Sequence, residues 1–277
     1  MKLWLRRWWP ALLGAGLMTA ALTQQPPREL GAWFGAPELA DVDAAVNRAV
    51  ACGLTRADIF VNDHGFVPFD TYDLAKVRRL VRALQEVGIR CSLTTWLRPT
   101  DEWVRGLETV VGPLAEELGC DLTLDLEEPL TLALKSAAPS VVAEWARRTF
   151  AALRRTTSAD IAVTCIVYGN LAVLGPFLSL CDTIIPQAYA TATYASQLPA
   201  GELERIAVTR YAPFGKRLIL GQAAWNLVGA YGARTAREAI TASLRSVARL
   251  RVDGVRYWRI GWLWGEVAQA IREEFRA

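Results

Sequence analysis

Residues 121–127 read Asp-Leu-Thr-Leu-Asp-Leu-Glu. Side chains on a β-strand point alternately to its two faces, so the three leucines share one face and the polar residues share the other. The leucine face suits packing beneath helices, and the polar face suits the inside of a barrel. This stretch therefore predicts the fourth strand of a barrel, with Asp125 and Glu127 side by side near its carboxyl end.

Strand-like apolar runs recur along the whole chain, and helix patterns separate most of them. The predicted strands are Leu30–Phe34, Ile59–Asn62, Arg90–Trp96, Asp121–Glu127, Ile161–Tyr168, Thr183–Tyr189, Arg217–Ala223 and Gly254–Trp262. A chain of 277 residues has room for one (β/α)₈ barrel, which takes about 250 residues. An open doubly wound sheet is disfavoured, because the turn at residues 35–38 carries no glycine-rich fingerprint. We predict one α/β TIM-barrel domain over residues 28–277.

Residues 1–27 have the pattern of an export segment. Lys2, Arg6 and Arg7 precede an uncharged apolar run, Pro10–Leu22, and small residues follow it. The run is short for a membrane span, which needs about 20 residues. We expect a cleaved signal peptide or an uncleaved N-terminal membrane anchor. Either one predicts a secreted, periplasmic or cell-surface protein that meets the membrane only through this segment.

Charge and cysteine content exclude several classes of function. The export segment holds three of the 31 basic residues and none of the 28 acidic ones, so the remaining chain is close to neutral. Without a basic patch, nucleic acid is not an expected partner. The chain has five cysteines, none in CxxC spacing, and one histidine, so we expect no metal site and no cofactor. The cysteines are read as buried core residues or as a source of one inter-strand disulfide.

Asp125 and Glu127 are the leading catalytic candidates, because barrel enzymes carry their sites at the carboxyl ends of the strands. Burial and mutual repulsion should raise the pKa of one carboxyl of the pair. A protonated Glu can protonate a leaving oxygen while an ionised Asp stabilises positive charge, as glycoside cleavage requires. Two other interpretations stay open: salt bridges to Arg98 or Arg259, and a metal site built on the two carboxylates.

Two short motifs resemble known glycosidases. The Asp-Leu-Glu ending the fourth strand resembles the Asp-x-Glu of family 25 lysozymes and, more distantly, of family 18 chitinases. The sixth strand is similar too, with Gln187 and Tyr189 sharing the inward face. The resemblance implies that Glu127 is the general acid and that Asp125 assists a mechanism in which the N-acetyl group of the substrate is the nucleophile. It also implies that Tyr189 holds the N-acetyl carbonyl.

Aromatic and polar residues near strand ends are candidates for sugar binding. The chain has eleven tryptophans, and sugar rings stack on aromatic faces, although any single tryptophan also suits a core. Asp63 is a possible third carboxylate, although residues 62–65 also read as a plain turn. The substrate-binding candidates beyond Gln187 and Tyr189 are Trp33, Trp96, Trp225, Trp262, Asp63, Tyr168 and Gln222.

These observations predict an exported glycoside hydrolase that cleaves an N-acetylated polysaccharide, either peptidoglycan or a chitin-like polymer, without a cofactor. The alternative is a non-catalytic glycan-binding TIM barrel, because the first strand reads Gly31-Ala32-Trp33-Phe34 where family 25 enzymes carry an inward Asp. A barrel lyase or aldolase is disfavoured. It would need an inward lysine, and the candidates at Lys76, Lys135 and Lys216 fall on helices or loops.

Overall fold

The computed structural model describes residues 29–62 and 73–276. Eight parallel strands pair in chain order and close into one barrel, which confirms the predicted (β/α)₈ architecture. The export segment predicted at residues 1–27 lies outside the described residues. The strands are β1 (Glu29–Phe34), β2 (Arg56–Phe60), β3 (Arg90–Trp96), β4 (Asp121–Asp125), β5 (Ile161–Ile166), β6 (Thr183–Gln187), β7 (Arg217–Ala223) and β8 (Gly254–Trp258).

Helices surround the barrel and bury their apolar faces against the outward side chains of the strands. Thr100 and Thr235 cap the helices that follow them, and each hydroxyl accepts a hydrogen bond from the backbone N–H three residues later. The helices are α1 (Ala36–Ala40), α2 (Val42–Cys52), α3 (Leu74–Glu86), α4 (Asp101–Gly106), α5 (Gly112–Leu118), α6 (Glu128–Leu134), α7 (Pro139–Arg154), α8 (Leu171–Leu180), α9 (Ala192–Ala195), α10 (Glu202–Tyr211), α11 (Ala236–Val247) and α12 (Gly265–Arg276). A π-helical turn, Leu107–Val111, joins α4 to α5.

Several strand boundaries differ from prediction, and β5 and β6, for example, each end two residues before the predicted Tyr168 and Tyr189. β2 begins at Arg56, three residues before the expected Ile59, because its charged residues face the barrel interior and are paired there. β4 ends at Asp125, and the backbone of Glu127 caps the helix that follows. β8 ends at Trp258, where a short 3₁₀ turn takes over.

An ionic layer fills the amino-terminal end of the barrel. Arg256 is 2% exposed, and it donates to Asp58 Oδ2 at 2.5 Å and to Glu29. Arg217 also reaches Glu29, at 2.9 Å. Burial alone would raise the pKa of Glu29, but the charges and hydrogen bonds of Arg256 and Arg217 outweigh it and lower that pKa to about 2. The layer is therefore a set of mutually compensated charges.

The ionic layer also requires a glycine at position 31. A Cβ atom on Gly31 would lie 2.6 Å from Cδ of Arg256, so only glycine lets that side chain cross the barrel. The layer encloses a cavity of about 20 Å³, which has room for about one water molecule. We therefore assign this end of the barrel to folding rather than to ligand binding.

An aromatic layer lies above the ionic one. Trp33, Phe60 and Trp96 pack there, with Phe60 stacked on Trp96 at 6.0 Å between ring centroids. Ile185 and Ile219 complete the layer. These side chains plug the barrel, so a ligand can reach its carboxyl-terminal mouth but not its interior.

All five cysteines are buried free thiols. Burial raises the pKa of Cys52 to about 11 and that of Cys165 to about 12. Their role is core packing, and no disulfide joins neighbouring strands. Among the described residues, no helix is both long and apolar enough to span a membrane, and no cluster of three or more potential metal ligands occurs.

Candidate active site

The carboxyl end of β4 presents two acids to the barrel mouth. Asp125 is 2% exposed, while the alternating leucines of the strand are buried against the helices. Within the described part of the chain, Oδ1 of Asp125 has no hydrogen-bond partner. Burial first, and the charge of Glu127 second, raise the pKa of Asp125 well above its usual range. Asp125 therefore keeps its proton to a higher pH than an exposed aspartate does.

Glu127 occupies the more accessible position of the pair. It is the residue before α6, with an extended backbone (φ −84°, ψ −157°), and its side chain is partly exposed. The preceding amide, at Leu126, still donates to Thr164 O at 2.9 Å, so the strand alternation continues to Glu127. Residues two apart on one strand face lie about 7 Å apart. Glu127 therefore faces the mouth just above Asp125.

The sixth strand supplies the neighbouring polar groups, on the face that its sequence predicts. Gln187 is buried, and its Nε2 donates to Thr164 Oγ1 at 3.3 Å. Tyr189 is partly exposed. Burial first, and then the charges of Glu127 and Asp125, raise the pKa of the Tyr189 hydroxyl. The hydroxyl is thus a permanent hydrogen-bond donor beside the two acids.

The interpretation of the acids as a simple salt-bridge site gains no support from Arg259. Its Nε lies 3.6 Å from Oε1 of Glu38, at the rim between β1 and β8. The guanidinium of Arg98 lies 5.7 Å from the ring centroid of Trp103. Among the described residues, no arginine forms an ion pair with Asp125. Burial and the charge of Glu127 therefore raise the pKa of Asp125 without an ion-paired arginine to lower it.

Three of the predicted substrate-binding residues are corrected by the structure. Trp33 and Trp96 are 1% and 4% exposed in the aromatic layer, so neither offers a ring face to a ligand. Gln222 lies on the helix side of β7, where its Oε1 lies 2.7 Å from Ser243 Oγ of α11. The prediction placed Gln222 on the wrong face of the strand, because Leu218, Leu220 and Gln222 all point to the outer face. Asp63 lies outside the described residues.

The other aromatic candidates lie at the barrel mouth. Tyr168 follows β5 and is 63% exposed. Trp225, just beyond β7, contacts Tyr189 edge to face, with ring centroids 5.2 Å apart. Trp225 and Trp262 line a cavity of about 550 Å³. Trp225 therefore contacts Tyr189 and also lines this cavity, whose other wall follows β8.

The structure adds two residues to the candidates chosen from the sequence. Trp258 is partly exposed and packs on Trp33 and Phe60, with centroid distances of 6.0 and 5.5 Å, which makes it the floor of the mouth. Glu204 is fully buried outside the barrel and accepts hydrogen bonds from Ser243 and Tyr231. The alternation of side chains on β8 places Trp258 inward and would have identified it. No sequence signal identifies Glu204, because its hydrogen-bond partners come from other elements.

The raised pKa of Asp125 predicts a stability effect. The folded chain keeps a proton that the unfolded chain releases above pH about 4, so this residue costs stability as pH rises from there toward its folded pKa. Asp125→Asn removes that cost. We expect a higher free energy of unfolding than wild type at pH 7 and a smaller difference at pH 3, measured by urea denaturation. The control is Asp43→Asn, whose side chain is 83% exposed. A variant less stable than wild type at pH 7 would contradict the burial argument.

Comparisons with known proteins extend to structure only. No family model and no curated protein sequence matches the chain. A GH5_18 protein from Streptomyces cattleya, solved with GlcNAc, has a TM-score of 0.66 at 15% identity, covering 91% of this chain and 80% of that one. A GH113 β-1,4-mannanase has a TM-score of 0.64 at 11% identity, covering 91% and 99%.

A third similar structure is a xylanase-α-amylase inhibitor protein, solved with trehalose. Its TM-score is 0.63 at 12% identity, and the match covers 88% of this chain and 98% of that one. At these identities the likeness shows the fold alone. The chain therefore shares its TIM-barrel fold with glycoside hydrolases and with a protein described as an inhibitor.

Proposed function

We propose that this chain is a glycoside hydrolase that cleaves an N-acetylated, β-linked polysaccharide, with peptidoglycan as the first candidate and a chitin-like polymer as the second. The observation that carries the proposal is the pairing of a buried Asp125, whose pKa is raised, with a partly exposed Glu127 at the mouth of a TIM barrel. The similar glycoside hydrolase structures support this reaction class. In this proposal Glu127 is the acid and Asp125 its partner.

The distribution of carboxylates favours an N-acetylated substrate. Most retaining or inverting glycosidases need a second carboxylate across the scissile bond, about 5–9.5 Å from the first. In the described part of the chain, residues 222–224 around the end of β7 read Gln-Ala-Ala and residues 187–189 around the end of β6 read Gln-Ala-Tyr, so neither segment places an acid at the mouth. A sugar that carries its own acetamido nucleophile does not need that acid. Residues 63–72 are outside this comparison.

The proposed reaction proceeds in two steps. Glu127 transfers its proton to the glycosidic oxygen, the bond from C1 to that oxygen breaks, and the acetamido carbonyl oxygen bonds to C1. Asp125 accepts the acetamido N–H and stabilises its developing positive charge, while the Tyr189 hydroxyl donates to the carbonyl oxygen. Water then attacks C1 and gives a proton to Glu127. The bond from the acetamido oxygen to C1 breaks, which restores the acetamido group and gives a sugar of retained configuration.

Asp125 has to lose its proton for this role, and Glu127 has to hold one. The two carboxyls are coupled, because the charge of Glu127 is one of the causes that raise the pKa of Asp125. The raised pKa favours the protonated form of Asp125 in the empty site. Substrate binding that offers an N–H to Asp125 favours its ionised form, so the proton moves to Glu127.

Export is the second part of the proposal. Peptidoglycan lies outside the cytoplasmic membrane, and residues 1–27 have the pattern of a signal peptide or membrane anchor. The expected location is the periplasm, the cell surface or the medium, and the expected partner is the polysaccharide itself. Nucleic acid and cofactors have no part in it.

The direct test is incubation of residues 28–277 with purified peptidoglycan and with chitin oligomers. We expect new reducing ends, and we expect the first product to keep the β configuration when it is observed by proton NMR. Glu86→Gln, an exposed change at the far end of α3, should leave the rate unaltered. No new reducing ends from either polymer would reject the proposed substrate class.

A non-catalytic glycan-binding barrel is the second candidate. The inhibitor protein of similar fold shows that a barrel of this shape is also found in a protein described by another role. The first strand of this chain carries Trp33, buried in the aromatic layer, in the region where the resembled lysozymes carry an acid. Saccharide binding without cleavage, at equal strength in wild type and Glu127→Gln, would decide for this candidate.

A further inference from the structure

A groove lined by tryptophans opens beside the candidate acids. We call it the tryptophan groove and define it by Trp225, Val228, Trp262, Trp264 and Glu266, which lie between the end of β7 and the first turn of α12. Its volume of about 550 Å³ lies within the range of small-molecule sites, about 300–1,000 Å³. Trp262 and Trp264 are 47% and 68% exposed, so their faces are open to a ligand.

One residue of the groove, Trp225, contacts the tyrosine that lies beside the acids. Trp225 meets Tyr189 edge to face at 5.2 Å, and the charges of Glu127 and Asp125 reach the Tyr189 hydroxyl. A ligand unit seated at the acids therefore has the groove as the next aromatic surface along the mouth.

One wall of the groove is held in a costly conformation by a buried contact. Asn226 and Tyr231 have φ values of 50° and 54°, in the left-handed region that non-glycine residues rarely adopt. Tyr231 donates its hydroxyl to Glu204, which is fully buried and also accepts from Ser243 Oγ at 2.8 Å. Such strain persists only where surrounding contacts enforce it, and it clusters at functional sites.

A second contact fixes the same loop from the side. Asn226 Nδ2 donates to Thr193 Oγ1 at 3.1 Å, and Asn226 O accepts from the backbone amide of Ala192 at 2.8 Å. The wall is thus tied to α9 and to α10 at once. A wall fixed in advance loses little conformational freedom on binding, which favours affinity.

The charge of the groove lining limits the class of ligand that it can bind. Among the described residues that line the groove, Glu266 alone is charged, and it is exposed. An anionic chain would be repelled, and no cation is present in the lining to bind it. Open tryptophan faces with one amide, that of Asn226, suit uncharged sugar rings, whose C–H faces stack on aromatic rings while their hydroxyls take hydrogen bonds.

We propose that the tryptophan groove is a second saccharide subsite, which binds uncharged sugar units adjoining the unit held at Asp125 and Glu127, so that the chain acts on oligomers rather than on disaccharides. This rests on the proposed function for the position of the reacting unit. Glu204 and Tyr231 are positioning residues, since they act on the ligand only through the wall that carries Trp225.

The test measures binding rather than turnover. Full-length chain carrying Glu127→Gln is titrated calorimetrically with chitin oligomers of two to six units. We expect affinity to rise with length, and we expect Trp264→Ala to weaken the six-unit oligomer by about tenfold, equal to about 1.4 kcal/mol, without affecting the two-unit one. Trp145→Ala on α7 is the matched control, because that ring lies under Arg148 away from the groove.

A second variant tests the subsite independently, in case the tryptophan substitutions cause misfolding. Tyr231→Phe removes only the hydroxyl that contacts Glu204, and we expect it to weaken the six-unit oligomer and spare the two-unit one. Affinity that is independent of length, or of Trp264, overturns the subsite. Length-dependent binding in a wild-type chain that cleaves nothing would keep the subsite and reject the proposed reaction.

Discussion

Glu127→Gln is expected to lower the rate of polysaccharide cleavage by about 10²–10⁴-fold, the usual contribution of a positioned general acid. Glutamine keeps the shape of the side chain and its hydrogen-bonding reach, but it has no acidic proton to give to the leaving oxygen. Glu127 is partly exposed at the start of α6, so the fold should be retained. Initial rates on peptidoglycan or a chitin oligomer measure the loss, and the thermal unfolding curve checks the fold.

Leaving-group dependence separates an acid from a mere binding residue. An aryl glycoside whose phenol leaves without protonation should lose far less rate in Glu127→Gln than the natural polymer does. The same variant removes one of the two causes that raise the pKa of Asp125, so that pKa should fall while burial keeps it elevated. Glu86→Gln serves as the control for both measurements. A wild-type rate in Glu127→Gln would remove the acid role.

Arg256→Met is expected to have the largest effect on stability, about 3–5 kcal/mol, the usual cost of removing one partner from a buried ion pair. Methionine fills part of the volume but leaves Glu29 and Asp58, which are 1% exposed each, without their shared cation. Arg217 still reaches Glu29, so Asp58 bears much of the loss. Urea denaturation at pH 7 measures the change.

The pH dependence of the loss identifies its origin. The pKa of Glu29 is lowered to about 2 in the folded chain, so the stability it contributes is complete above its unfolded pKa near 4.5 and is lost as pH falls toward 2. The deficit of Arg256→Met should therefore narrow below pH 4.5. Arg249→Met, on an exposed position, is the control. A deficit equal to that of the control would show that the ionic layer is neutral for folding.

Local alternation carried most of what the sequence could predict. On β4 the leucines and acids alternate without interruption, and both faces came out as predicted. The same reasoning placed Gln187 and Tyr189 inward on β6. It was wrong for β2, because a strand that carries Arg56 and Asp58 reads as a turn unless their partners are known. Those partners, Asp121 and Arg256, lie far away along the chain.

The aromatic residues show why the candidate site could be predicted only in part. Trp33 and Trp262 both follow or end a strand, but one lies at 1% and the other at 47% exposure. The difference arises from neighbours on other strands, since Phe60, Ile185 and Ile219 close over Trp33. Periodicity within one segment contains no information about such neighbours, so burial of a tryptophan at a rim has to come from the structure.

The position of Glu29, at the start of β1, determines how a membrane-anchored form of the chain would be oriented. β1 starts at the amino-terminal end of the barrel, and both acids lie at the opposite end, about 20 Å away for a strand of six residues. A chain that kept residues 1–27 in a lipid bilayer would therefore be anchored at the end of the barrel opposite the two acids. Its open mouth would point outward, toward polymer lying beyond the lipid surface rather than toward the lipids themselves.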